Sequence, residues 1–235
     1  MRLPVLQSAK LVGATFALFF FTKCAAQISR SHSENNAVAS ELTPAEADGR
    51  WGYVDSAAQF FIKPKYFAAA PFKEDLALVV TRKPWEPFGS EYGEFRLTQI
   101  TYIDRSGHEI RSPLSVRRAA SFSDGMAVVV PDSSMRLTAG CAKGGYLNTK
   151  GKWGIEPQFD GLKDFSEGLA AVNLGAKCGM GGKWGYITKE GKFAIPLKFL
   201  FAGQFHDGRA CVTEKDGEQE VIDKTGVIVE GQECQ

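Results

Sequence analysis

Short apolar runs closed by glycine recur along the chain from residue 51 onward. Trp51-Gly52-Tyr53-Val54 and Trp184-Gly185-Tyr186-Ile187 are aromatic and β-branched, and Leu169-Ala170-Ala171-Val172 is a second kind of run. Brief segments of this composition, with side chains alternating between two faces, predict β-strands. No segment carries a convincing helical period. The unit that emerges is a meander of three short strands: Ala-x-Val, then Trp-Gly-Tyr-Ile, then an apolar run ending in Ile/Pro. Thr188-Lys189-Glu190-Gly191-Lys192 and Asp223-Lys224-Thr225-Gly226 place glycine where a tight turn needs a positive φ. A Phe-Ser-Glu-Gly element precedes each Ala-x-Val strand. There the acid is expected to bond nearby backbone amides while glycine takes the left-handed position.

The spacing of these elements shows a repeat. Tyr53, Tyr102, Tyr146, Tyr186 and Val221 stand at equivalent places, separated by 49, 44, 40 and 35 residues. A second anchor set is Phe72, Phe122, Phe165 and Phe205, each followed two residues later by an acid (Glu74, Asp124, Glu167, Asp207). Gly182-Lys183-Trp184-Gly185-Tyr186-Ile187 and Glu167-Gly168-Leu169-Ala170-Ala171-Val172 resemble the units of the WG-repeat family, and the resemblance spans about residues 49–230. The Trp-Gly pair survives only at 51–52 and 184–185. It becomes Ile100-Thr101, Gly144-Gly145 and Gln219-Glu220 elsewhere, while Lys152-Trp153-Gly154 lies out of register. The resemblance implies architecture and interaction, with no chemistry common to the family. The fold expected is all-β, about 4.5 three-stranded meanders in an open twisted array, with a propeller-like ring as the alternative. The repeats run over about 49–98, 99–143, 144–182, 183–217 and a partial 218–235.

The N-terminus reads differently. Arg2 and Lys10 precede the uncharged stretch Leu11–Thr22, twelve residues that as a helix rise about 18 Å, short of a roughly 30 Å hydrocarbon core. Cys24-Ala25-Ala26 then places small residues at −3 and −1 of a cut after Ala26, the layout of a secretory signal peptide over 1–26. The rival reading, lipidation of Cys24, is opposed by Lys23 where a small residue is wanted. Residues 27–48, polar and poor in aromatics, read as a flexible linker to the repeat domain at 49–235. The leader holds three bases and no acid, so the 28 Lys+Arg of the chain fall to 25 against 27 Asp+Glu. A mature chain near neutrality is a poor candidate for nucleic-acid binding.

Candidate chemistry is sparse. Four cysteines remain after Cys24: Cys141, Cys178, Cys211 and Cys234. In an exported chain an even count suggests bridges. Cys141 and Cys178 both precede the Trp-Gly-Tyr strand in adjacent repeats, which favours Cys141–Cys178 and leaves Cys211–Cys234. The competing view makes Cys211 a small buried residue. No CxxC or histidine partner supports zinc, and His32, His108 and His206 share no repeat position. No nucleophile, metalloprotease or P-loop motif is present. No metal site, catalytic residue or cofactor is therefore expected. Extra residues fall after the Ala-x-Val strands, at Thr81–Thr98, Pro131–Lys143 and Asn173–Lys183, and are expected as loops on one edge. The first carries Trp85, Phe88 and Tyr92 among prolines, the residue types that dominate binding hot spots. The expectation is an exported, non-enzymatic, monomeric protein that binds a protein or glycan partner in the envelope or outside the cell. The alternatives are a carboxylate-dependent hydrolase or glycan-processing enzyme, and a structural or lipid-anchored envelope component.

Overall fold

The structure is a computed structural model that describes residues 42–82, 98–132, 142–177, 180–214 and 217–234. These residues form strands and turns without a helix. Strands β1 (Thr43–Ala47), β2 (Arg50–Val54) and β3 (Phe60–Tyr66) make the first antiparallel meander. After β3 the chain leaves that sheet: Phe67 donates its N–H to the Val80 carbonyl, and β4 (Ala68–Ala69) pairs with β5 (Leu76–Arg82) of the next unit.

The same crossing recurs at each boundary. Next, β5 pairs with β6 (Thr98–Asp104), and β7 (Leu114–Ala119) pairs through its first half with β6 and through its second half with β8 (Met126–Pro131). Strands β9 (Gly144–Asn148) and β10 (Trp153–Phe159) complete a seven-stranded sheet. Two further sheets follow. One joins β11 (Gly161–Leu162), β12 (Leu169–Lys177), β13 (Met180–Thr188) and β14 (Phe193–Phe199), and the other β15 (Phe201–Ala202), β16 (Arg209–Thr213) and β17 (Gln219–Asp223). Every third strand thus starts the next unit, and among the described residues no sheet closes into a barrel. The expected open array of all-β meanders is the fold observed.

Turn chemistry explains the punctuation. Asp104, Asn148 and Asp223 each accept two backbone N–H groups across the second hairpin of their unit, and Gly107, Gly151, Gly191 and Gly226 take positive φ there. Two features depart from the pattern expected of the chain. Strand β1 lies within the stretch read as linker, because Leu42 occupies the position of Leu76 and Leu169 and is buried with Tyr53. The third insertion is a regular two-stranded ribbon, with β12 and β13 paired out to Lys177 and Met180, rather than a loop.

A packing exchange accounts for Gly144 standing where two other repeats have tryptophan. Trp51 and Trp184 share their core clusters with Ala69 and Ala202. At Gly144 the Leu162 side chain fills the space that a Cβ would need, and Leu162 stands at the repeat position of those alanines. Gly144→Ala is expected to cost about 1–2 kcal/mol by overpacking. Shortening Leu162 to Ala should relieve that cost, giving a coupling of about 1 kcal/mol in a double-mutant cycle read by urea denaturation. Strict additivity would refute the exchange.

Candidate functional site

The two anchor sets meet inside each unit. Tyr53 and Phe72, Tyr102 and Phe122, Tyr146 and Phe165, and Tyr186 and Phe205 place their ring centroids 4.7, 4.9, 4.8 and 4.8 Å apart. Each tyrosine hydroxyl donates to the carbonyl two residues before its phenylalanine, at Ala70, Ala120, Lys163 and Gly203, over 2.6–2.9 Å. The four tyrosines are fully buried, and desolvation pushes their phenols well above the ordinary value, so each stays a donor. These anchors are core, not an exposed stacking platform.

The repeated acids act between units. Glu74, Asp124, Glu167 and Asp207 themselves have left-handed backbones, with φ of 50°, 59°, 53° and 50°. Asp124, Glu167 and Asp207 are followed by glycines that also have positive φ, the requirement of a type I′ hairpin. Their carboxylates do not serve nearby amides, as the sequence pattern suggested. Glu74 accepts the N–H of Gly125, Asp124 that of Gly168, and Glu167 that of Gly208, each in the following unit. Beside them the Ser123 and Ser166 hydroxyls donate to the carbonyls of Phe165 and Phe205. A base from the next unit's second hairpin completes two junctions, Lys189 at Asp124 and Lys224 at Glu167.

The Lys224 hydrogen bond, with support from the Gly208 N–H, holds the Glu167 carboxyl below its ordinary value. Asp223 is lowered chiefly by the Thr225 hydroxyl. A carboxyl depressed on folding stabilises above its unfolded pKa, and that contribution is lost as the pH falls through the folded value. The last two units are therefore expected to loosen on acidification from about pH 4.5 downward. Glu167→Gln should flatten the fall of Tm between pH 7 and pH 3, and parallel curves for the two proteins would refute the role.

The expected site residues divide sharply. Trp85, Phe88 and Tyr92, together with Cys141 and Cys178, lie outside the described residues. Cys211 and Cys234 form a disulfide with Cα atoms 5.6 Å apart. Counting on from Gly226 as from Gly191, Cys234 stands at the repeat position of the buried Phe199, so a covalent bond takes the place of a buried aromatic there; only the isolated bridge of Ile228 with Ile222 represents the third strand. In the chain-entropy model, closing this 23-residue separation is worth roughly 3 kcal/mol.

Comparison with known families agrees with this geometry. The family model described as WG containing repeat matches residues 51–85, 145–178 and 184–217. The chain carries WG repeats. No curated protein matches the chain. The WG repeat left unmatched between residues 85 and 145 is the one in which Ile100-Thr101 replaces Trp-Gly.

Beside the unit that begins at β15, a groove of about 670 Å³ is lined by Phe201, Gln204, His206, Asp207, Arg209 and Val221 among others. The tail forms one wall through Gln232, which accepts from the Arg209 guanidinium at 2.6 Å, and Glu233. Nearby, the Lys163 ammonium lies 4.1 Å from the Phe201 ring centre, and burial pushes its pKa down. Glu167, His206 and Asp207 bring ligand-type atoms within 4.8 Å of one another, all exposed, but Glu167 is already held by Lys224 and Gly208. Sequence reasoning did not find this groove, because most of its residues belong to a repeated pattern and its wall comes from the tail at Gln232 and Glu233.

Proposed function

We propose that the protein is exported and acts as a non-enzymatic, monomeric binding protein in the cell envelope or outside the cell, engaging a protein or glycan partner. The observation that carries this reading is the use of the repeated acids. Glu74, Asp124 and Glu167 tie one unit to the next, which leaves the surface of the array for recognition. A glycan-processing mechanism needs one carboxyl raised to act as general acid. Glu167 and Asp207 come close to one another, but the Glu167 carboxylate is already engaged by Lys224 and the Gly208 N–H.

Export is supported by the signal-like layout of residues 1–26 and by a disulfide, which persists in oxidising compartments. No helix among the described residues is long and apolar enough to cross a membrane. Trp85, Phe88 and Tyr92 remain the proposed contact residues of the first insertion.

The test is capture of partners from an envelope extract by the wild-type protein and by Trp85→Ala/Phe88→Ala. Loss of a partner in the variant supports the reading, and identical sets refute the insertion's role. Mass spectrometry of the mature N-terminus should give Gln27. A lipid-modified Cys24 would instead favour an anchored component.

A further inference from the structure

We propose that Lys163, Trp184 and Phe201 form a subsite for an acidic sugar, a uronic acid unit of a glycan whose carboxylate meets the Lys163 ammonium while its ring lies against the aromatic side chains. The proposal rests on the reading as a binding protein and narrows the partner at this face to an acidic glycan. The subsite is separate from the first insertion, so either can fail alone.

The repeat separates what the fold requires from what it does not. The carbonyl that receives each anchor tyrosine belongs to Ala70, Ala120, Lys163 or Gly203. A long basic side chain is therefore no part of that hydrogen bond. Four residues before each anchor phenylalanine stand Ala68, Arg118, Gly161 and Phe201, and two before each anchor tyrosine stand Trp51, Ile100, Gly144 and Trp184. At these three positions, lysine, tryptophan and phenylalanine come together only around Lys163. Its ammonium lies 4.1 Å from the Phe201 ring centre and 5.9 Å from that of Trp184. The aromatic faces are fixed in advance. Gly161 bears no side chain where the Trp184 ring passes: a Cβ there would lie 2.9 Å from Trp184 Cη2. Trp184 also packs on the buried cluster of Tyr186 and Phe199. Phe201 is 45% exposed, while its backbone is held by pairing with Thr213. Such preorganisation removes an ordering cost from binding.

Charge indicates what the subsite takes. Lys143, Lys189, Lys198 and Lys224 each meet a carboxylate, whereas among the described residues no carboxylate pairs with Lys163. Partial burial disfavours its charged form, so an anion brought beside it offsets that cost. An acidic peptide would also bring a carboxylate, but its main chain would find few partners here. The amides of Lys163, Leu200 and Gly203 are spent on the carbonyls of Ala171, Thr213 and Cys211, and the Gln204 side-chain amide on that of Asp164. Two aromatic faces beside one ammonium suit a sugar ring that carries one carboxylate.

The test titrates the purified protein with trigalacturonate, followed by backbone amide and indole chemical shifts. Saturable shifts at Lys163, Phe201 and the Trp184 indole are expected. Methyl-esterified trigalacturonate, which has lost the charge but keeps the sugar rings, should bind about tenfold more weakly to the unaltered protein. Lys163→Met, which keeps an apolar stem against Phe201 and removes the ammonium, should weaken binding of the free acid by about the same factor. No binding of trigalacturonate, or equal binding of its ester or by Lys163→Met, overturns the proposal and leaves the capture experiment on Trp85 and Phe88 to stand by itself. Tighter binding of hexaglutamate than of trigalacturonate would assign the subsite to an acidic peptide and overturn the sugar named here.

Discussion

Phe165→Ala should lower the unfolding free energy by about 3–5 kcal/mol, the usual cost of emptying a buried phenylalanine site. Phe165 is fully buried and shares a cluster with Tyr146, Ile155 and Phe159 on one side and Ala170, Val172 and Ile187 on the other. It therefore seals two consecutive units at once. Its loss removes the edge-on contact with Tyr146 and slackens the segment whose Lys163 carbonyl receives the Tyr146 hydroxyl. In an array each unit touches only its neighbours, so a defect at one junction should separate the transitions on either side. Urea denaturation followed by tryptophan fluorescence should show the later units melting before the earlier ones. Phe72, only partly buried against its cluster, supplies the scale: Phe72→Ala should cost less. Equal losses for the two variants, or a loss under about 1 kcal/mol at Phe165, would contradict this account of the junction.

Within a unit, most of the construction was legible in the chain. The spacing from Tyr146 to Phe165 is nearly constant across repeats because one aromatic pair must close around one crossover strand, and a local constraint leaves a local signature. The left-handed glycines were legible for the same reason. Bonds between units were not. Glu74 and Gly125 lie 51 residues apart, and Glu167 and Gly208 lie 41 apart. An acid that recurs beside a recurring turn looks the same whether it serves its own turn or the next. The exchange of bulk between positions 144 and 162 was equally hidden, since it appears only when β9 and β11 are set side by side.

Gly185→Ala should be among the most damaging small substitutions in the array, costing about 3 kcal/mol. The third strand of its unit passes directly over this residue. A Cβ there would lie 2.6 Å from the Ile195 carbonyl oxygen and 2.9 Å from the Leu197 nitrogen. The obstructing atoms are backbone, so no rotamer relieves the clash and β14 must retreat from β13. Ile195 and Phe199, both buried in the adjoining cluster, would retreat with it. Gly52 and Gly145 face the same approach from Ile62 and Ile155, which is the physical content of the glycine in the Trp-Gly pair. Thr101 occupies the equivalent position in the repeat that lacks this glycine. There β7 pairs with β6 only over Thr98–Ile100, and the Thr101 hydroxyl reaches the Arg111 carbonyl at 2.7 Å in place of close strand packing. Thr101→Gly should therefore cost only about 1 kcal/mol, the worth of one hydrogen bond. Hydrogen exchange provides the direct reading: the amides of Ile195 and of residues 197–199 should lose protection in Gly185→Ala, while those of residues 109–112 change little in Thr101→Gly. Wild-type protection and a wild-type urea midpoint in Gly185→Ala would show that the strand can yield and that the glycine answers to something else.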